Sequence, residues 1–96
     1  MAILQNYLNT NKLLTFNFLI MDLTTFIQNF ADQFDETDSS AFAASTQFKK
    51  LDEWSSLIAL SIIAMVDEEY DVTIKGDDII SAVTIEDLYN IVKERA

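Results

Sequence analysis

The sequence predicts an all-α fold, a small four-helix bundle with a long first loop, in a chain of 96 residues. Three observations predict it. From Leu57 to Val66 only Ser61 is polar, and the segment from Ser56 to Tyr70 holds good helix formers and neither Gly nor Pro. Two further segments, 22–34 and 84–95, repeat apolar residues at spacings of three and four behind capping residues. The one β-prone stretch, Val72, Thr73 and Ile74, is too short for a sheet of its own.

Residues 1–20 differ from the rest. They carry one Lys and no acid, whereas all 16 acidic residues lie beyond them. The apolar stretch 13–21 is interrupted by Thr15 and Asn17 and is too short to span a bilayer. Lys12 before a short apolar core suits a signal peptide, but Asp22 follows at once without a small-residue cleavage site. The expectation is an N-terminal extension over 1–20, with Met21 as the natural start and one domain over 21–96.

Asp22 is placed to cap a first helix reaching Phe34, with Leu23, Phe26, Ile27, Phe30 and Phe34 on one face. A long connection follows, rich in the Asp, Ser and Thr of turns. Asp38 to Phe42 suits a short helical turn. Phe42, Phe48 and Leu51 are expected to pin the connection to the bundle, Trp54 to plug the core, and Lys49 and Lys50 to be solvated. Such a loop can span the bundle and deliver the next helix start to an exposed end.

The second helix is expected over Ser56–Tyr70, with 59, 62, 63, 66 and 70 as its inward face. Ser55 or Ser56 can cap it. A helix start has free N–H groups and the positive end of the dipole, which suits a phosphate. Asp67, Glu68 and Glu69 oppose the dipole at the other end, so they are read as solvated or as partner contacts. The spacing across 67–78 fails as an EF-hand loop, because alternating ligands are lacking and Gly76 comes too late. Gly76 is read as a turn, Asp77 as the cap of a short third helix, and Thr84 with Asp87 as a capping box. Ile85, Leu88, Ile91 and Val92 form the last helix's apolar face, with Lys93 and Arg95 complementing its C-terminal dipole. Phe30, Ile62, Val66, Tyr70, Ile74, Leu88 and Ile91 are the expected core.

Ser56 and Leu57, the apolar run to Val66, the acids 67–69, Tyr70 and Ile74 together resemble the acyl carrier protein family. Those proteins carry an Asp-Ser-Leu motif at the start of their second helix. Phe48, Leu51 and Trp54 are similar to the hydrophobic positions of the family's long first loop. The resemblance covers about residues 22–95. It implies a four-helix bundle of acyl-carrier-protein type. It also implies Ser56 as the attachment site of 4′-phosphopantetheine, whose thiol would serve a chain with no Cys and no His. The implied partners are a phosphopantetheinyl transferase and acyl-transferring or condensing enzymes with basic surfaces. Leu57, Ile58, Leu60, Asp67 and Glu68 are the expected partner contacts. Ser55 replaces the family's usual Asp, and Ile58 and Ser61 stand where such carriers often have acids. This points to a specialised free-standing type II carrier.

Composition narrows the classes. Half of the residues are hydrophobic, unlike a disordered acidic tail. A net charge of −10 opposes nucleic-acid binding and anionic membranes and favours basic partners. Without His or Cys, no convergent nucleophile–base pair is visible, so the chain reads as a non-catalytic carrier rather than an enzyme. No metal site is expected. A cytoplasmic monomer is the expected state. The competing reading is a small acidic interaction module that binds a basic partner with no prosthetic group.

Overall fold

The computed structural model describes residues 22–96, so the reading of residues 1–20 lies outside the described residues. Four α-helices follow in order: α1 Leu23–Ala31, α2 Ser56–Tyr70, α3 Gly76–Ser81 and α4 Ile85–Arg95. Two 3-10 turns, Ser39–Ala41 and Phe48–Lys50, punctuate the long connection between α1 and α2. No strand occurs among the described residues. Helix α1 packs on both α2 and α4, and α3 packs on α4.

The Asp22 carboxylate caps α1 by accepting from Thr25 N at 3.3 Å. Phe26 and Phe30 are the buried residues of α1. The helix stops at Ala31 rather than reaching Phe34. Tighter bonds from Gln33 N to Phe30 O and from Phe34 N to Ala31 O then turn the chain and still bury Phe34. Phe30 is the centre of an aromatic cluster. Its ring lies 5.2 Å from Phe48, 5.7 Å from Phe34, 6.4 Å from Phe42 and 6.5 Å from Phe26. Offset and edge contacts of this kind suit the ring quadrupoles. The connection is therefore pinned by Phe42 and Phe48, with Leu51 and Trp54 partly buried against the same core.

Helix α2 runs the expected length but is rotated. Ile58, Ile62, Met65, Val66 and Tyr70 are buried, whereas Ala59 and Ile63 are only half-buried. A helix that is apolar almost all round can settle at several rotations, and packing chooses among them. Phe30, Ile62, Val66, Tyr70, Ile74 and Leu88 lie in the core as expected, while Ile91 is half-buried and Val92 takes the buried place on α4. Asp71 ends α2 in the left-handed region at φ 55°, its N–H donating to Asp67 O.

The lead-in to α3 differs from the expectation. Lys75, not Asp77, stands at the cap position, and the Asp78 carboxylate accepts from Lys75 N at 2.8 Å. Gly76 is the first helical residue, its φ is not positive, and a Cβ there would meet nothing within 4 Å. Lys49 is not simply solvated. Its ammonium donates to Ile79 O at 3.0 Å and Ile80 O at 2.7 Å, at the C-terminal end of α3 where the dipole favours a cation. Lys49→Met keeps the stem and removes the charge. A thermal melt should show a loss of about 1 kcal/mol, a few degrees in Tm.

The start of α4 is closed twice. Thr84 and Asp87 form the expected reciprocal box, with Asp87 N donating to Thr84 Oγ1 and the Asp87 carboxylate accepting from Thr84 N. Carbonyls of the long connection supply the rest: Ile85 N donates to Thr46 O and Glu86 N to Ala44 O. At the other end, Arg95 forks onto Asp78 with both bonds at 2.7 Å, tying the end of α4 to the start of α3.

Candidate functional site

The site is built around the start of α2. Ser55 adopts an extended conformation (φ −157°, ψ 170°), and its hydroxyl accepts from Ile58 N at 3.2 Å. Ser55 is thus the cap, a role that an aspartate or a serine fills equally well. Ser56 is the first helical residue and is exposed. Among the described residues no acceptor meets the N–H groups of Ser56 and Leu57. The first turn of α2 contains no acid. An anion at Ser56 would therefore meet free donors and the positive dipole end without a carboxylate in that turn.

The apolar residues after Ser56 divide. Leu57 is 73% exposed and Leu60 63%, but Ile58 is 9% exposed and belongs to the core. The outward apolar surface of α2 is therefore Leu57 and Leu60, and the expectation that Ile58 joins it is corrected by the rotation of the helix. Ile80, at 72%, and Val83, at 54%, are exposed apolar residues of the α3–α4 region that periodicity did not single out. Asp67, Glu68 and Glu69 are exposed at the far end of α2.

The chain reaches Ser55 under restraint from both sides. The Trp54 ring packs edge-on to Phe48 at 5.1 Å and lies 6.4 Å from Phe34. Glu53 gathers the beginning of the long connection. One carboxylate oxygen accepts from Asp35 N at 2.7 Å. The other accepts from Glu36 N at 3.1 Å, Thr37 N at 2.9 Å and the Thr37 hydroxyl at 2.7 Å. Sequence reasoning missed this clamp. The only local signal was a glutamate facing, across the loop, a turn-rich stretch whose amides need acceptors. An open cleft of about 420 Å³ lies along it, lined by Glu36, Thr37, Leu51, Asp52 and Glu53.

Four carboxylates sit below their ordinary range because hydrogen bonds favour the charged form. The Ser40 amide does this for Asp38, the Thr37 hydroxyl and then the Asp35 amide for Glu53, the Arg95 guanidinium for Asp78, and the Thr84 amide for Asp87. A lowered value in the fold means that the unfolded chain binds the proton more readily. The stability these groups add is complete above the ordinary values of 3.8 for Asp and 4.5 for Glu, and is lost as pH falls through and below them. Melting temperature should be flat down to about pH 5.5 and fall below about pH 4.5. Melts in high salt, which screens the self-repulsion of the acidic chain, isolate this slope.

Among the described residues no helix is long and apolar enough to cross a membrane. Comparison with known proteins brings no relative: no family model, no curated protein and no solved structure matches this chain.

Proposed function

We propose that the chain is an acyl carrier protein that holds acyl groups as thioesters on a 4′-phosphopantetheine arm attached to Ser56. The single observation that carries this reading is the division of labour between the two serines: Ser55 caps α2, and Ser56 stands exposed beside free N–H groups. The helix order supports it. A fifteen-residue α2 follows a long pinned connection, and a six-residue α3 and an eleven-residue α4 come after it. This four-helix order agrees with the carrier reading, in which Ser56 would be the modified serine.

Ser56 Oγ would attack the pantetheine-side phosphorus of coenzyme A. The Oγ–P bond forms, the P–O bond of the pyrophosphate bridge breaks, and adenosine 3′,5′-bisphosphate leaves. The hydroxyl proton passes to a base of the transferase, which also supplies the metal. The N–H groups of Ser56 and Leu57 and the positive end of the helix dipole would favour the negative phosphodiester there. When bound, the arm supplies the thiol that this chain lacks. Leu57 and Leu60 present an apolar contact next to the serine, and Asp67 and Glu68 a charged one at the other end of α2 for enzymes with basic surfaces. The protein is a substrate of the transferase and a carrier for its partners, not itself a catalyst.

The test is intact-protein mass spectrometry after incubation with coenzyme A and a broad-specificity phosphopantetheinyl transferase. One adduct per chain is expected. A folded wild type that takes no adduct from two unrelated transferases overturns the reading in favour of an acidic interaction module.

A further inference from the structure

Glu53 is the most heavily bonded carboxylate among the described residues, accepting from three consecutive amides and one hydroxyl. Its donors lie 16 to 18 residues earlier in the chain. The bonds therefore close the long connection into a ring at its last residues, just before the cap. Charge-assisted bonds of this length are about twice as strong as neutral ones. Trp54 fixes the next residue to Phe48 and Phe34. Ser55 then turns into α2, so the chain direction at Ser56 is set by one polar and one apolar anchor in immediate succession.

We propose that Glu53 is a positioning residue for Ser56: its carboxylate, acting through Trp54 and Ser55, holds the start of α2 in the one form that a modifying transferase accepts. The proposal rests on the carrier reading of Ser56. Glu53 touches neither Ser56 nor a cofactor, so its effect is on recognition. If the clamp opens, only the fraction of molecules with an ordered lead-in binds the transferase, and the apparent affinity falls by that fraction. Glutamine cannot replace it. Its amide group puts N–H donors against either the Asp35 amide or the amides of Glu36 and Thr37, so one set of bonds is lost.

The experiment compares full-length wild type, Glu53→Gln, Thr37→Val, Asp52→Asn and Ile85→Val at a temperature where melts show each one folded. Two quantities are read: amide hydrogen exchange at 35–37, and KM and kcat of phosphopantetheinyl transfer. In Glu53→Gln, exchange at 35–37 should speed up about tenfold and KM should rise about three- to tenfold with kcat little changed. Thr37→Val should show the same pattern more weakly. Asp52→Asn, which alters the adjacent carboxylate, and Ile85→Val, which loosens the core elsewhere, should leave KM at the wild-type value. Wild-type exchange rates in Glu53→Gln overturn the clamp. Faster exchange with an unchanged KM overturns the positioning role alone. An unmodified wild type overturns the carrier reading, and the role of Glu53 with it.

Discussion

Ser56→Ala is expected to abolish the phosphopantetheinyl adduct completely, while Ser55→Ala keeps it and lowers stability. The two serines are adjacent and chemically identical, so the contrast isolates their positions. The Ser55 hydroxyl is engaged with Ile58 N at 3.2 Å, and its loss strips the start of α2 of a cap, a cost of about 1 kcal/mol. Ser56 is exposed at the first helical position and caps nothing. Its replacement by alanine, the best helix former, should leave the melting temperature within about a degree of wild type. The joint readout is mass spectrometry with thermal melts. An adduct that survives in Ser56→Ala and disappears in folded Ser55→Ala moves the site by one residue and removes the cap argument. Ser55→Asp, which introduces the residue usual in acyl carrier proteins, should retain both the cap and the adduct.

The largest effect on stability is expected at Phe30. This side chain is fully buried, and its ring contacts those of Phe26, Phe34, Phe42 and Phe48. It therefore joins α1 to both anchors of the long connection. Phe30→Ala removes the buried ring, leaves a cavity and breaks four aromatic contacts, for a loss of about 3–5 kcal/mol. A domain of this size has a total stability of roughly 5–10 kcal/mol, so the variant should be close to unfolding. Urea denaturation measures it: the midpoint should fall by roughly a third or more with the slope little changed. Phe34→Ala, at the rim of the same cluster, should cost less. A loss under about 1 kcal/mol for Phe30→Ala would mean that the cluster is not the centre of the core.

The effect of Phe30 bears on function as well as on stability. Phe48 touches both Phe30 and Trp54, so the aromatic cluster extends to within two residues of Ser56. The polar anchor Glu53, next to Trp54 in the chain, ties the same segment to residues 35–37. A mild lesion in either anchor should loosen the start of α2 before the whole domain unfolds, because openings of this kind follow local contacts.

Local features were legible in the sequence. Asp22 and the Thr84–Asp87 pair signal helix starts because a cap bonds an amide only two or three residues away, whereas the choice between Ser55 and Ser56 was made by the fold and Asp77 proved not to be a cap. The bond is encoded in spacing and needs no knowledge of the fold. The faces of α1 and α4 were readable for a similar reason, since polar residues mark their outer sides. The proposal for Ser56 began as a resemblance in the sequence, and its exposure is a finding of the structure.

Tertiary structure alone decided the rest. Helix α2 is apolar nearly all round, so its rotation, and with it the burial of Ile58 and the exposure of Leu57 and Leu60, depends on how α1 and the connection pack against it. Lys49 finds the carbonyls of Ile79 and Ile80, Ala44 and Thr46 supply acceptors to α4, and Glu53 finds the amides 35–37. Each of these bonds joins groups far apart in the chain. Any exposed amide or carbonyl would satisfy the same side chain chemically, and only the folded path brings one partner within 3 Å or so.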